Sequence, residues 1–248
     1  RGQAGRRSFE EVLLAGLAED GGLFVPETWP AFSAGELRAM RSLDYPALAA
    51  RLLAPFTQGC FEHDELLTLA RRAYGGFDHA ATAPLRHLGG DRWLLELFHG
   101  PTLAFKDVGA RTMARLMASL DSGDQPLTVL AATSGDTGSA VAHAFHGVPH
   151  TRVVILYPDG RVSPVQEAQL TMFNSEDGNV RAYAVDGSFD DCHRLTKVAF
   201  ANADVRREVR LTSANTVNIG RLLPQMVYYF HAVAQAMKVR PGAEIHVC

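Results

Sequence analysis

Residues 127–145 read LTVLAATSGDTGSAVAHAF: an apolar run, a turn punctuated by Gly135 and Gly138, and then apolar residues at helical spacing. A strand that ends in such a turn and leads straight into a helix is the opening of a strand–helix–strand crossover. Outward from it the alternation repeats. WLLELF (93–98) precedes a helix over Asp107–Leu120, PLTVLAAT (126–133) precedes Gly138–Phe145, and RVVILYP (152–158) precedes Val165–Met172. NVRAYAV (179–185) precedes Phe189–Ala201, VRLTSAN (209–215) precedes Val217–Met237, and AEIHVC (243–248) reads as a last buried strand. The expected fold class is α/β, a mostly parallel sheet with helices on both faces, joined by right-handed crossovers. In such sheets ligands sit outside the carboxyl ends of the strands.

Before about residue 90 the texture is different, and the chain divides into a mainly helical N-terminal segment, 1–90, and an α/β region, 91–248. Ser8 and Glu11 have capping-box spacing at the start of FEEVLLAGLA, GGLFVPETWP (21–30) breaks the helix, and Ser33–Met40, Tyr45–Leu53 and Asp64–Tyr74 carry helical periodicity.

Composition narrows the function. With 47% hydrophobic and 21% charged residues in 248, the chain can bury a sizeable core, and a formal net charge of -3 provides no basic stripe for nucleic acid. No apolar stretch approaches a bilayer span, and RGQAGRRSFEE at the start lacks the apolar core of a signal peptide. A cytoplasmic protein acting on small molecules, with no nucleic-acid or membrane partner, is the expectation. Cys60, Cys192 and Cys248 are an odd number without CxxC spacing and read as buried thiols rather than a disulfide framework or a zinc site.

Two motifs carry chemistry. In FHGPTLAFKDVG (98–109) a single lysine, Lys106, follows Leu103, Ala104 and Phe105 and immediately precedes a predicted helix. Desolvation and the positive end of the helix dipole both disfavour an ammonium there, and a neutral lysine amine attacks carbonyls. A lysine that reaches the surface, or one paired with Asp107, fits the same position. In TSGDTG, Gly135 and Gly138 let backbone approach a ligand, while Ser134, Thr137 and the first helical N–H groups aim donors into one concavity, an anion cradle. The motif is neither GxGxxG, nor GK[ST], nor GxSxG, which weighs against dinucleotides, ATP and a serine nucleophile. An ordinary capped strand-to-helix turn fits it equally well.

His143, His146 and His150 spell HxxHxxxH, but Pro149 ends the helix before His150 and no carboxylate is near in sequence, so no metal site is expected. Asp190 and Asp191 read as first-turn carboxylates, and Tyr228, Tyr229 and Phe230 as core.

Taken together, FHGPTLAFKD and ATSGDTG resemble the threonine synthase family of fold-type II pyridoxal-phosphate enzymes, as do EEVLLAGLAEDGGLFVPETWP, ILYPDGRVSPVQEAQL, DGSFDDC and SANTVNIGRLLPQMVYYF. The resemblance implies pyridoxal 5'-phosphate held on Lys106 as a Schiff base, with Lys106 moving protons at the substrate's α and β carbons. It implies that Ser134, Gly135, Asp136, Thr137 and Gly138 form the loop beside cofactor and substrate carboxylate. Ser213, Asn215, Asn218 and Arg221 are assigned to the phosphate of O-phospho-L-homoserine, and His99 and Thr102 to the pocket wall. The implied activity is a carbon–oxygen lyase making L-threonine and phosphate. A related phospho-lyase releasing 2-oxobutyrate uses the same groups. The resemblance places a Gly-rich loop for the cofactor phosphate beyond Cys248, so the sequence is expected to be the N-terminal portion of a longer enzyme that alone binds the cofactor weakly or not at all; an inactive fragment lacking that loop is the other alternative. Oligomeric state is not legible.

Overall fold

The computed structural model describes residues 5–247. The N-terminal helices are α1 (Phe9–Ala15), α2 (Ala34–Met40), α3 (Tyr45–Leu53), extended by a 3-10 turn at Ala54–Phe56, and α4 (His63–Tyr74). Their starts follow from local chemistry. Ser8 Oγ accepts from Glu11 N–H at 3.2 Å while a Glu11 carboxylate oxygen accepts from Ser8 N–H at 2.7 Å, and Ser33 with Glu36 repeats this reciprocal cap on α2.

A hairpin of β1 (Leu85–Gly89) and β2 (Arg92–Leu95) follows, then α5 (Lys106–Leu120), β3 (Leu127–Ala132), α6 (Asp136–Phe145), β4 (Thr151–Pro158), α7 (Pro164–Thr171), β5 (Val180–Val185), α8 (Phe189–Ala201), α9 (Ala203–Glu208), β6 (Arg210–Thr212) and α10 (Ile219–Val239). The main sheet has the order β5-β4-β3-β6 and every pair in it is parallel, with Val129 of β3 in register with Val153 on one side and Thr212 on the other. From β3 to β5 the chain steps in one direction through α6 and α7; it then returns through α8 and α9 to β6. Right-handed crossovers place the outgoing and returning helices on opposite faces, and α8 packs against β3 and β4 accordingly. Strand order reverses between β3 and β6, so their carboxyl ends open the crevice where a ligand is expected.

Two apolar clusters hold the molecule. Met113, Met117, Val129, Phe145, Ile155 and Leu170 join Leu13 and Leu66 beneath the sheet, and Tyr45, Leu48, Leu52 and Tyr74 pack with Val108, Val227 and Tyr228. Both clusters draw on residues before and after 90. Helix α5 is buried continuously from Asp107 to Ala114, the signature of a helix enclosed on all sides.

Four sequence expectations change. WLLELF supplies β2 of an antiparallel hairpin rather than a strand of the parallel sheet; Arg92–Leu95 alternates exposed and half-buried residues, where an enclosed parallel strand would be buried throughout. Residues 243–247 of AEIHVC form no strand. They are exposed or half-buried and pair with no described strand, and without a ladder an apolar run does not hold an extended form. Tyr229 is exposed, while Tyr228 beside it is buried. Cys192 is buried, Cys60 only half-buried, and Cys248 lies outside the described residues. Among the described residues no helix is long and apolar enough to cross a membrane.

Candidate active site

Lys106 is the first residue of α5, and its Nζ lies 3.0 Å from Oδ2 of Asp136, the first residue of α6, and 4.8 Å from the Phe105 ring centre. The sequence offered Asp107 as a partner. Asp107 points elsewhere: it is fully buried and accepts from Thr102, whose N–H and hydroxyl donate to its two oxygens, both at 2.8 Å.

The loop from Thr133 to Gly138 is shaped by one hydroxyl. Thr133 Oγ1 accepts from the N–H groups of Gly135 and Gly138, at 3.0 and 2.9 Å, and donates to Gly135 C=O at 3.0 Å. Gly135 sits at φ +139, where side chains are strained, and a Cβ there would overlap Gln166. Gly138 lets α6 approach the sheet, since a Cβ would lie 2.5 Å from both Leu170 Cδ2 and Thr133 Cγ2. Both glycines thus serve close packing, Gly135 against Gln166 and Gly138 against Leu170 and Thr133. Ser134 is exposed and Thr137 half-buried beside them, and neither side chain bonds another described residue.

Asp136 is held from both sides. Its Oδ2 accepts from Lys106 and its Oδ1 from Gln166 Nε2 at 2.8 Å, and these two bonds, Lys106 first, hold its carboxyl below the usual carboxylate range although partial burial opposes them. Gln166 went unnoticed in the sequence although its spacing is visible there. Ser163 and Gln166 form the capping box of α7, so the Gln166 carbonyl oxygen accepts from Ser163 while its amide nitrogen is left to reach Asp136.

The loop from β6 into α10 lies beside this one, tied by Asn215 Nδ2, which donates to Ala132 C=O at 3.3 Å. Ser213 Oγ accepts from Asn215 N–H at 3.2 Å. Asn218 is spent internally: its Oδ1 accepts from Gly220 N–H at 3.0 Å, capping α10, and its Nδ2 donates to Leu13 C=O at 2.9 Å and Ser213 C=O at 3.1 Å. Arg221 is 1% exposed and packs against Gly109 of α5, and its Nε and Nη1 have no hydrogen-bond partner; Asn215 Oδ1 is likewise buried and unpartnered. Burial lowers the Arg221 guanidinium to about 10, with Asp107 and Tyr228 opposing. Buried polar groups ordinarily have a hydrogen-bond partner, and for these the described residues supply none.

His99 is clasped between two carboxylates, Nδ1 at 2.7 Å from Asp78 and Nε2 at 2.8 Å from Glu96, which raise its pKa, Glu96 most, against some desolvation. The remaining histidines and acids have structural settings. His143 approaches Arg111, His146 stacks on Phe173, and Asp191 caps Ser188 at the start of α8. A groove of about 570 Å³ lies where Phe9 and Val12 face Phe24, Phe56, Ile219 and Leu223, and neither Lys106 nor the 133–138 loop lines it.

The lysine amine thus meets a glycine-held loop on the carboxyl edge of a parallel sheet, at its order reversal. The chain belongs to the pyridoxal-phosphate-dependent enzymes, whose family profile, described as "Pyridoxal-phosphate dependent enzyme", matches residues 79–222. Within that class its relatives are threonine synthases. A profile described as "Threonine synthase N terminus" matches residues 1–74. The threonine synthase of Pseudomonas aeruginosa is 42% identical over 95% of this chain and 50% of its own length, and that of Escherichia coli 45% over 92% and 51%. The crystal structure of pyridoxal-phosphate-bound threonine synthase from Brucella melitensis superposes with a TM-score of 0.87 at 41% identity, covering 98% of this chain and 52% of that one. The chain thus spans about half the length of the curated relatives it matches.

The residues fit the family's cofactor. Lys106 supplies the amine, Ser134 and Thr137 have side chains that bond no other described residue, and Arg221 and Asn215 on the β6–α10 loop keep buried, unpartnered polar atoms.

Proposed function

We propose that the protein to which this chain belongs is a threonine synthase, converting O-phospho-L-homoserine and water into L-threonine and phosphate with pyridoxal 5'-phosphate bound to Lys106. The observation that carries this reading is the 3.0 Å approach of Lys106 Nζ to the SGDTG loop, which brings the amine and the anion cradle into one site. When bound, the cofactor supplies an electron sink conjugated to the substrate's α carbon. Lys106 Nζ moves the protons at the α and β carbons. Ser134 and Thr137 donate to the substrate carboxylate at the start of α6, where the helix dipole favours an anion. Asp136, fixed by Gln166, accepts from Lys106 Nζ and orients it.

For the substrate phosphate the reading uses the β6–α10 loop. Arg221 supplies the charge and a forked set of donors, Ser213 and Asn215 line the approach, and Asn218 shapes the loop through its cap. His99 and Thr102 hold the wall leading to Lys106. The reading keeps a cytoplasmic location, supported by the free thiols Cys60 and Cys192.

The test is product analysis of the full-length protein with O-phospho-L-homoserine. Threonine and phosphate in equal amounts are expected; 2-oxobutyrate without threonine would replace this reading with the phospho-lyase.

A further inference from the structure

We propose that Asp107 is a positioning residue for Lys106, acting through a buried staple to Thr102 that fixes the direction in which the lysine leaves α5. This rests on the reading that Lys106 bears the cofactor.

The start of α5 lacks an ordinary cap. Phe105 occupies the N-cap position in helical conformation and its side chain makes no capping bond. What holds the entry is a carboxylate inside the first turn reaching backwards, with one Asp107 oxygen taking Thr102 N–H and the other Thr102 Oγ1–H. The intervening turn is threaded by backbone bonds from Leu103 N–H to Gly100 C=O and from Asp107 N–H to Ala104 C=O, both 3.0 Å. Gly100 completes the fit, because a Cβ on it would lie 2.5 Å from Asp107 Oδ2.

Inside this closed turn Leu103 has φ +59 and is 67% exposed. A leucine in the left-handed region with its side chain in solvent gains nothing locally from that conformation. Such strain persists only where surrounding bonds over-determine it. The staple is the set of bonds that does so, three residues before the lysine.

The coupling to Lys106 is geometric. Neighbouring helical residues project about 100° apart, since a turn holds 3.6 residues. With Asp107 pinned inward, Lys106 is forced outward to the 133–138 loop, where it is 23% exposed and meets Asp136. Asp107 also stands behind the site with Arg111 and His143 in its field and Arg221 feeling its charge, so the staple is set in buried, polar surroundings that resist rearrangement.

The experiment uses the full-length protein and three variants. Thr102→Val keeps the shape and removes the hydroxyl donor, Thr102→Ser keeps the donor, and Asp107→Asn keeps the volume and removes the charge. The rate at which added pyridoxal phosphate develops its lysine-bound absorbance is measured, with kcat and KM, below the unfolding temperature of each variant. Misplacing a reacting group by about 1 Å costs on the order of 100-fold. Thr102→Val and Asp107→Asn are therefore expected to slow band formation and kcat by about 10- to 100-fold with KM moving little, and Thr102→Ser to recover most of the loss. Wild-type band formation and kcat in Thr102→Val, or equal losses in Val and Ser, would overturn the inference even if the unfolding temperature falls. Should Thr102→Val not fold, Asp107→Asn against wild type decides by the same criterion. Lys106→Ala separates the two readings: if it keeps the band, the assignment of Lys106 fails, whereas a band that needs Lys106 but ignores Thr102 refutes only the staple.

Discussion

Replacing Gly135 with alanine tests the loop at its tightest point. Two costs add. Alanine at φ +139 lies outside the regions side chains ordinarily occupy, worth about 1–3 kcal/mol. Its Cβ would also overlap the Gln166 amide nitrogen and sit 2.5 Å from Gln166 Cδ, so Gln166 must swing away. That motion gives up its reciprocal cap on α7, about 1 kcal/mol, and its bond to the exposed Asp136, ~0–1 kcal/mol after solvent screening. The sum is about 3 kcal/mol, or a fall of ~6–12 °C in unfolding midpoint for a protein of this size. Gly160→Ala is the control, because Gly160 also has positive φ, +62, but nothing within 4 Å of a new Cβ; it should cost only about 1–2 kcal/mol. Thermal unfolding of Gly135→Ala, Gln166→Ala and the double variant forms a cycle in which the contact part disappears once Gln166 is truncated. If Gly135→Ala costs no more than Gly160→Ala, or if truncating Gln166 changes nothing, the account of this loop is wrong.

Other expectations follow from the same packing and titration. Gly109→Ala would overlap Arg221 Nη1 and lie 2.5 Å from the Arg221 carbonyl oxygen, a backbone atom that cannot rotate away, so a loss of about 3 kcal/mol or more is expected, read as a fall in soluble, folded yield. His231 is buried and its pKa is lowered to about 4, mainly by desolvation, so the native state keeps it neutral; its share of stability is present above 6.5 and is lost as pH falls toward 4, and His231→Gln should flatten acid unfolding in that window. His99 has the opposite sign: with its pKa raised by Glu96 and Asp78, its contribution is full below 6.5 and fades as pH rises above it, so His99→Gln should lower the unfolding midpoint more at about pH 6 than at about pH 9.

Much of this was legible because it is local. Ser8 with Glu11 announced α1 through cap chemistry confined to four residues, and the β3–α6 turn declared itself through Gly135 and Gly138. The β1–β2 hairpin was not legible: LRHLG is mostly exposed and offers no apolar period, while WLLELF beside it carries one strong enough to suggest a central strand. The AEIHVC run shows the converse, a strand-like pattern with no described ladder partner. At the site, Lys106 and the SGDTG loop stood out by residue type, but their partners did not. Asp136 and Gln166 lie 30 residues apart and meet only once β3, β4 and α7 are assembled. Asp107 was close enough to Lys106 in sequence to suggest a pair, and it is the helical turn that sends the two side chains in different directions.

The central claim is that Lys106 captures the cofactor at the SGDTG loop. This chain has three lysines, Lys106, Lys197 and Lys238, of which only Lys106 sits at that loop. Borohydride reduction of the full-length protein loaded with pyridoxal phosphate, followed by peptide mass mapping, should place a single pyridoxyl group on Lys106. A pyridoxyl group on Lys197, Lys238 or any other lysine, with Lys106 unmodified, would contradict the account.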